Sequence, residues 1–114
     1  MSEIPTLNPD RIYHEVSEAG ERWADAKSAY EALNDNTKSV LAEIIGHYMD
    51  DGKESKAAAE VRAQASKDYR EHLASVAKAR SHFLRSQVQY DSIKMLAELR
   101  RTQESTRRAE MGMR

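Results

Sequence analysis

Apolar residues recur along the first half of the chain in alternating steps of four and three. Ile12, Val16, Ala19, Trp23, Ala26, Tyr30, Leu33, Thr37, Val40 and Ile44 keep that rhythm without a break, the seam of a helix that packs against one neighbour along its whole length. The seam runs through residues 34–36, Asn-Asp-Asn, whose types otherwise suit a turn. Its unbroken phase predicts one continuous helix; a break at 34–36, giving three helices in all, is the alternative. Asn8 is a good N-cap, Pro9 suits the first helical position and Asp10 complements the N-terminal dipole. Leu7 and Ile12 stand where a hydrophobic staple places its two members. Helix 1 is therefore expected over about 9–49.

Residues 49–55, MDDGKES, end it. Gly52 can take a left-handed conformation, and Asp51 with Glu54 has capping-box spacing for the next helix. A turn is expected at about 50–53. The second helix, about 54–111, contains no proline, and Gly112 is its first stop signal. Its seam reads Ala58, Val61, Ala65, Tyr69, His72, Val76, Ala79, Phe83, Ser86, Tyr90, Ile93 and Ala97.

The predicted fold class is all-α: an N-terminal arm (1–8), then a long antiparallel helical hairpin, coiled-coil-like, over 9–111. Folding it about Asp51 sets Trp23 opposite Ala79, Ala26 opposite Val76, Ala19 opposite Phe83, Val16 opposite Ser86, Ile12 opposite Tyr90, Leu33 opposite Tyr69 and Thr37 opposite Ala65. Large residues mostly meet small ones, as close packing asks. In that register Pro9 lies opposite Ile93. The longer second helix then overhangs at its C-terminus by about 20 residues, roughly 30 Å. Ile4 and Leu7 of the arm can fold back over Ile93 and Leu96.

Composition sharpens this picture. Two prolines and four glycines in 114 residues, with 32% charged and 39% hydrophobic positions, are the profile of long helices. The absence of cysteine excludes a disulfide framework, a thiol nucleophile and a Cys-ligated zinc site, and fits a reducing cytoplasm. No run approaches the roughly 18 apolar residues of a membrane span, and the opening MSEIPTLNPD lacks the apolar stretch of a secretory signal. The expected location is cytoplasmic. Residues 1–54 hold 12 acidic and 5 basic side chains, a net of −7; residues 55–114 hold 7 acidic and 13 basic, a net of +6. The two halves can neutralise each other, or the basic half can present a nucleic-acid surface.

Candidate chemistry is sparse. His47 follows Glu43 by four and His72 follows Asp68 by four, but the inward Glu-x-x-His pairs of a helical di-metal site are missing. Both histidines fall on the seams, where a core role is expected; His14 and His82 read as surface. Glu15 and Glu18 match the E-x-x-E opening of helical nucleotide pyrophosphatases, yet the matching E-x-x-D is absent. No phosphate loop, nucleophile elbow or H-E-x-x-H occurs. Trp23, Tyr30, Phe83 and Tyr90 are seam residues. No catalytic residue, metal, cofactor or small-molecule substrate is expected, and the protein is not expected to be an enzyme.

Interaction surfaces are better marked. Helix 2 carries a second apolar stripe, Leu73, Leu84, Val88, Met95 and Leu99, beyond what one hairpin seam can cover. Leu84, Val88, Met95 and Leu99 are the predicted protein-interaction residues. The expected cover is a second copy, giving a homodimer of four-helix-bundle character, with another helical protein or a fold-back of the chain as the alternatives. Lys94, Arg101 and Arg108 recur every seven residues, as do Arg100, Arg107 and Arg114. Lys94, Arg100, Arg101, Arg107 and Arg108 are candidate contacts to nucleic acid or to an acidic partner. Equally, Arg100, Glu104 and Arg108 have the spacing of a surface salt-bridge ladder.

Three stretches, KDYREHLASVAKAR (67–80), QVQYDSIKMLAELRRTQESTRRAEM (89–111) and ERWADAKSAYEALNDNTKSVLAEI (21–44), together resemble small all-helical proteins encoded by tailed bacteriophages and prophages. The most distinctive parts are Tyr90-Asp91 and the Thr106-Arg107-Arg108-Ala109-Glu110-Met111 ending. The resemblance covers most of the chain and implies the host cytoplasm; such proteins are often uncharacterised, some are encoded near recombination or replication genes, and the resemblance brings no catalytic residues. Secreted helical-hairpin virulence proteins are a weaker comparison, because they want Trp-x-Gly at the turn, where this chain has Asp50-Asp51-Gly52. The leading expectation is a non-enzymatic association protein. The alternative is a nucleic-acid-binding accessory protein of phage recombination or replication.

Overall fold

A computed structural model of the chain describes residues 9–112. All regular structure among them is helical: α1 (Pro9–Asp35), α2 (Thr37–Gly52), α3 (Lys56–Ala65) and α4 (Lys67–Gly112). The all-α class stands as predicted. The Asn8 cap, the Leu7 staple, the arm 1–8 and Arg114 lie outside the described residues.

The interruption at Asn36 is slight. Its backbone keeps right-handed helical angles (φ −80°, ψ −7°). Its N–H reaches Ala32 O at 3.2 Å and its carbonyl accepts from Val40 N–H at 3.0 Å. The i to i+4 ladder therefore carries α1 into α2 in phase, and every predicted seam residue from Ile12 to Ile44 is buried or half-buried.

Two other joints differ from expectation. The left-handed residue of the turn is Lys53 (φ 51°, ψ 32°), while Gly52 closes α2. Ser55, not Asp51 with Glu54, caps the next helix: its Oγ accepts from Ala58 N–H at 3.3 Å. Glu54 instead pairs with Arg62, whose guanidinium lies 4.6 Å from the centroid of the Tyr48 ring. That contact ties the end of α2 to α3.

The second joint is Ser66, where a continuous helix was expected. Its backbone is extended (φ −68°, ψ 152°), and its N–H and hydroxyl both donate to Ala63 O, at 3.1 and 2.6 Å. The same hydroxyl oxygen accepts from Tyr69 N–H at 3.2 Å. One serine thus closes α3 and opens α4, satisfying orphan groups at both ends. The joint also shifts the seam. Ala59 and Ala63 are buried, whereas Ala58, Val61 and Ala65 are exposed. From Tyr69 to Ala97 the predicted seam holds at every position.

The chain forms two compact units. One spans Ala26–Phe83. Inside it Tyr30 stacks on Phe83 (centroids 5.8 Å apart, rings 12° from parallel), and Thr37 Oγ1 lies 2.9 Å from His72 Nε2. The other joins α1 up to Asp25 with α4 from Leu84. There Trp23 stacks on Tyr90 at 5.8 Å, and the Tyr90 ring lies over Gly20.

These contacts correct the predicted register. Trp23 meets Tyr90 rather than Ala79, Tyr30 meets Phe83, and Thr37 meets His72 rather than Ala65. The turn sits later than Asp51, and the joint at Ser66 removes residues from the ladder. The slide at Trp23 is the eleven residues from Ala79 to Tyr90, close to three helical turns of 3.6 residues. A slide by whole turns leaves the same face inward, so the seam survived while the pairing changed.

The glycines give a check on this packing. Gly46 has nothing within 4 Å of where a Cβ would stand, whereas a Cβ on Gly20 would lie 3.2 Å from Tyr90 Cε1. Gly46→Ala is expected to stabilise the fold by roughly 0.5–1 kcal/mol through helix propensity alone. Gly20→Leu is expected to destabilise it by about 1–3 kcal/mol through overpacking. Urea unfolding followed by circular dichroism measures both.

Candidate functional site

Past Leu84 the long helix α4 presents three different strips, set by its turn angle of about 100° per residue. The inward strip, Ser86, Tyr90, Ile93, Ala97 and Arg100, is buried or half-buried. On the opposite side stand the four predicted interaction residues, which share roughly 60° of arc. They are exposed: Leu84 by 44%, Val88 by 65%, Met95 by 70% and Leu99 by 56%. Leu96 extends this apolar face, and Leu73, in the other unit, is exposed as well.

The basic residues occupy the flanks between these strips. Lys94, Arg101 and Arg108 follow one flank and Arg107 the other, while half-buried Arg100 stands at the edge of the inward strip. Lys94 Nζ lies 3.5 Å from Asp91 Oδ1 and 4.2 Å from the centroid of the Tyr90 ring. Arg108 Nη2 donates to Glu104 Oε1 at 2.9 Å, which completes half of the predicted ladder. Arg100, Arg101 and Arg107 make no ion pair among the described residues.

The overhang predicted from Ile93 onward is not found at its root. Ile12, Tyr13 and Val16 of α1 share a cleft of about 290 Å³ with Ala97, Arg100 and Arg101 of α4. Residues 93–104 thus run beside the start of α1, and the tip exposed at every position is 105–112. The reason is the eleven-residue slide, which carries α4 back along α1. Besides those residues the cleft is lined by Lys94, Glu98 and Glu104, so that cationic and carboxylate groups both border its apolar side chains. Sequence reasoning missed it, because Ile12 was placed opposite Tyr90.

The remaining candidates resolve into structural or surface roles. His72 is half-buried and meets Thr37, as a seam histidine would. His47 is exposed, not on the seam, because α2 turns it outward beside half-buried Gly46 and Tyr48. Glu15 and Glu18 pair with Arg11 at 3.4 Å and with His14 at 3.1 Å. Among the described residues no group of three or more His, Cys, Asp or Glu side chains is placed to hold a metal ion. Nor is any described helix long and apolar enough to cross a membrane. No protein-family model matches the chain, no curated protein matches it, and no solved structure matches it.

Trp23 is the sole tryptophan and reports on the inward strip. Tyr90→Ala is expected to move its fluorescence emission to longer wavelength, as water reaches the indole. The midpoint of thermal unfolding should fall, because the stacked pair contributes about 0.5–1.5 kcal/mol beyond its area burial.

Proposed function

We propose that this protein acts by helix–helix association rather than by catalysis, with Leu84, Val88, Met95 and Leu99 as the contact surface. The observation that carries this reading is the imbalance between hidden and exposed apolar groups. The buried hydrophobic residues among the described ones are four alanines, Ala19, Ala26, Ala59 and Ala63, and no large side chain is fully buried. Meanwhile Leu84, Val88, Met95 and Leu99, with Asp91 and Ser92 beside the gap between their two halves, face water on α4. Burying a side chain of that size is worth about 1.5–3 kcal/mol, so covering the row adds to a core that otherwise rests on half-buried rings. Exposed apolar patches of this kind mark interaction sites.

The test is the pair of substitutions Leu84→Glu and Leu99→Glu, made together and compared with the wild type by light scattering and thermal melting at micromolar concentration. The expected result is a loss of associated species and a lower melting midpoint. A wild type that is a stable monomer, with size and midpoint unchanged by the double substitution, would sink the reading.

A second reading is favoured by one observation, that Arg100, Arg101 and Arg107 make no ion pair among the described residues. They can contact phosphates, with Lys94 and Arg108 beside them, as in a nucleic-acid-binding accessory protein of a phage. Gel-shift titrations on single- and double-stranded DNA are then expected to show binding that weakens steeply with salt. Replacing Arg100, Arg101, Arg107 and Arg108 by alanine should abolish it. No shift at low salt rejects this reading.

A further inference from the structure

We infer that the occupant of the outer face of α4 is a second copy of this chain, laid antiparallel about a two-fold axis that passes between Asp91 and Ser92. The inference rests on the association reading above and gives that surface its partner. Its first support is the spacing of Leu84, Val88, Met95 and Leu99, which reads the same in both directions, while Leu96 at the edge of the face is level with Gln87. Leu84 and Leu99 stand at equal distances from the Asp91–Ser92 junction, and so do Val88 and Met95. A reversed copy therefore sets Leu84 level with Leu99 and Val88 level with Met95, twice over, as an isologous contact requires. A foreign helix would ask for no such symmetry.

The second support is placement. The stripe lies on the side of α4 opposite the strip that faces α1, so a copy docking there displaces nothing packed on it among the described residues.

Charge supplies the third and chooses the direction. Asp91 borders the stripe on one flank, Ser92 on the other, and Lys94 lies 3.5 Å from Asp91 in its own chain. In an antiparallel two-fold pair, like flanks meet. Each Lys94 then stands about two residue rises from the level of the second copy's Asp91, and the two Asp91 carboxylates, about one residue rise apart beside the axis, are flanked by the two ammonium groups. A parallel copy would turn Lys94 toward Ser92 and Leu96 of the other flank, where it finds no carboxylate. It would also lay the two ends bearing Arg100, Arg101, Arg107 and Arg108 side by side and align the helix dipoles unfavourably.

The absence of native cysteine allows a direct test by disulfide trapping. Val88, Ser92 and Met95 are all exposed, so single cysteine substitutions there leave the inward strip intact, and circular dichroism confirms that each variant keeps its helical content. Ser92→Cys, next to the axis, is expected to form covalent dimers under mild oxidation. Val88→Cys alone and Met95→Cys alone are not. In the reversed arrangement identical positions stand seven residue rises apart, roughly 10 Å, whereas a disulfide needs Cβ atoms about 4 Å apart. Mixing those two variants should give a mixed dimer at least about tenfold above either alone. Asp91→Lys should weaken dimerisation by roughly tenfold, and adding Lys94→Asp should restore it.

Self-linking of Val88→Cys and of Met95→Cys would overturn the inference in favour of a parallel pair and leave the association reading intact. A wild type that is monomeric in light scattering, with no variant cross-linking, overturns it as well. In that case the association reading falls too only if Leu84→Glu with Leu99→Glu leaves the melting midpoint unmoved.

Discussion

In each unit α1 and α4 meet through one pair of rings, Trp23 on Tyr90 and Tyr30 on Phe83. Two antiparallel helices can turn only one face each toward the other, and along that face little room is left for bulk. The rings fill what space there is, while Ala19, Gly20 and Ser86 keep the backbones close enough for them to stack. Everything else about the chain is organised around this narrow contact. The seam is apolar because it faces inward there, the flanks are charged because they do not, and past Leu84 the far side of α4 has no cover among the described residues.

That division explains which parts of the molecule were legible in the sequence. A seam is a periodic signal, repeated at each turn, and the run from Ile12 to Ile44 could be read residue by residue. Joints are single events. Ser66 lacks the glycine or proline that usually announces a break, and its only local signs are a hydroxyl capable of capping and Asp68 in the first turn that follows. At the other joint the expected cap was Asp51 with Glu54, and Ser55, which gives the same kind of side-chain acceptor a few residues on, holds it instead. Charges in the same few residues went to Arg62 instead of to the helix end.

Register was the least legible property, for a geometric reason. Periodicity fixes the side of a helix that points inward but not its position along its neighbour, and positions that differ by whole turns look alike to any reading of pattern. The large-on-small pairing expected at Trp23 and Ala79 satisfied packing rules as well as the ring-on-ring pairing that the structure holds. The outer stripe was read correctly as exposed because exposure depends on facing alone. The cleft at Ile12, Tyr13, Arg100 and Arg101 depends on position along the axis and was missed with it.

Gly20 takes on a meaning from this that helix propensity does not give it. It is a notch cut in α1 beneath the ring of Tyr90, one missing methyl deep. Were α4 to travel one turn along α1 in either direction, the ring would come to rest over Val16 or Ala24, which fill the space that glycine leaves open. The pattern of the seam tolerates such travel; the notch does not. A helix pair whose stripes would fit in several places is held at one of them by the side chain that α1 lacks.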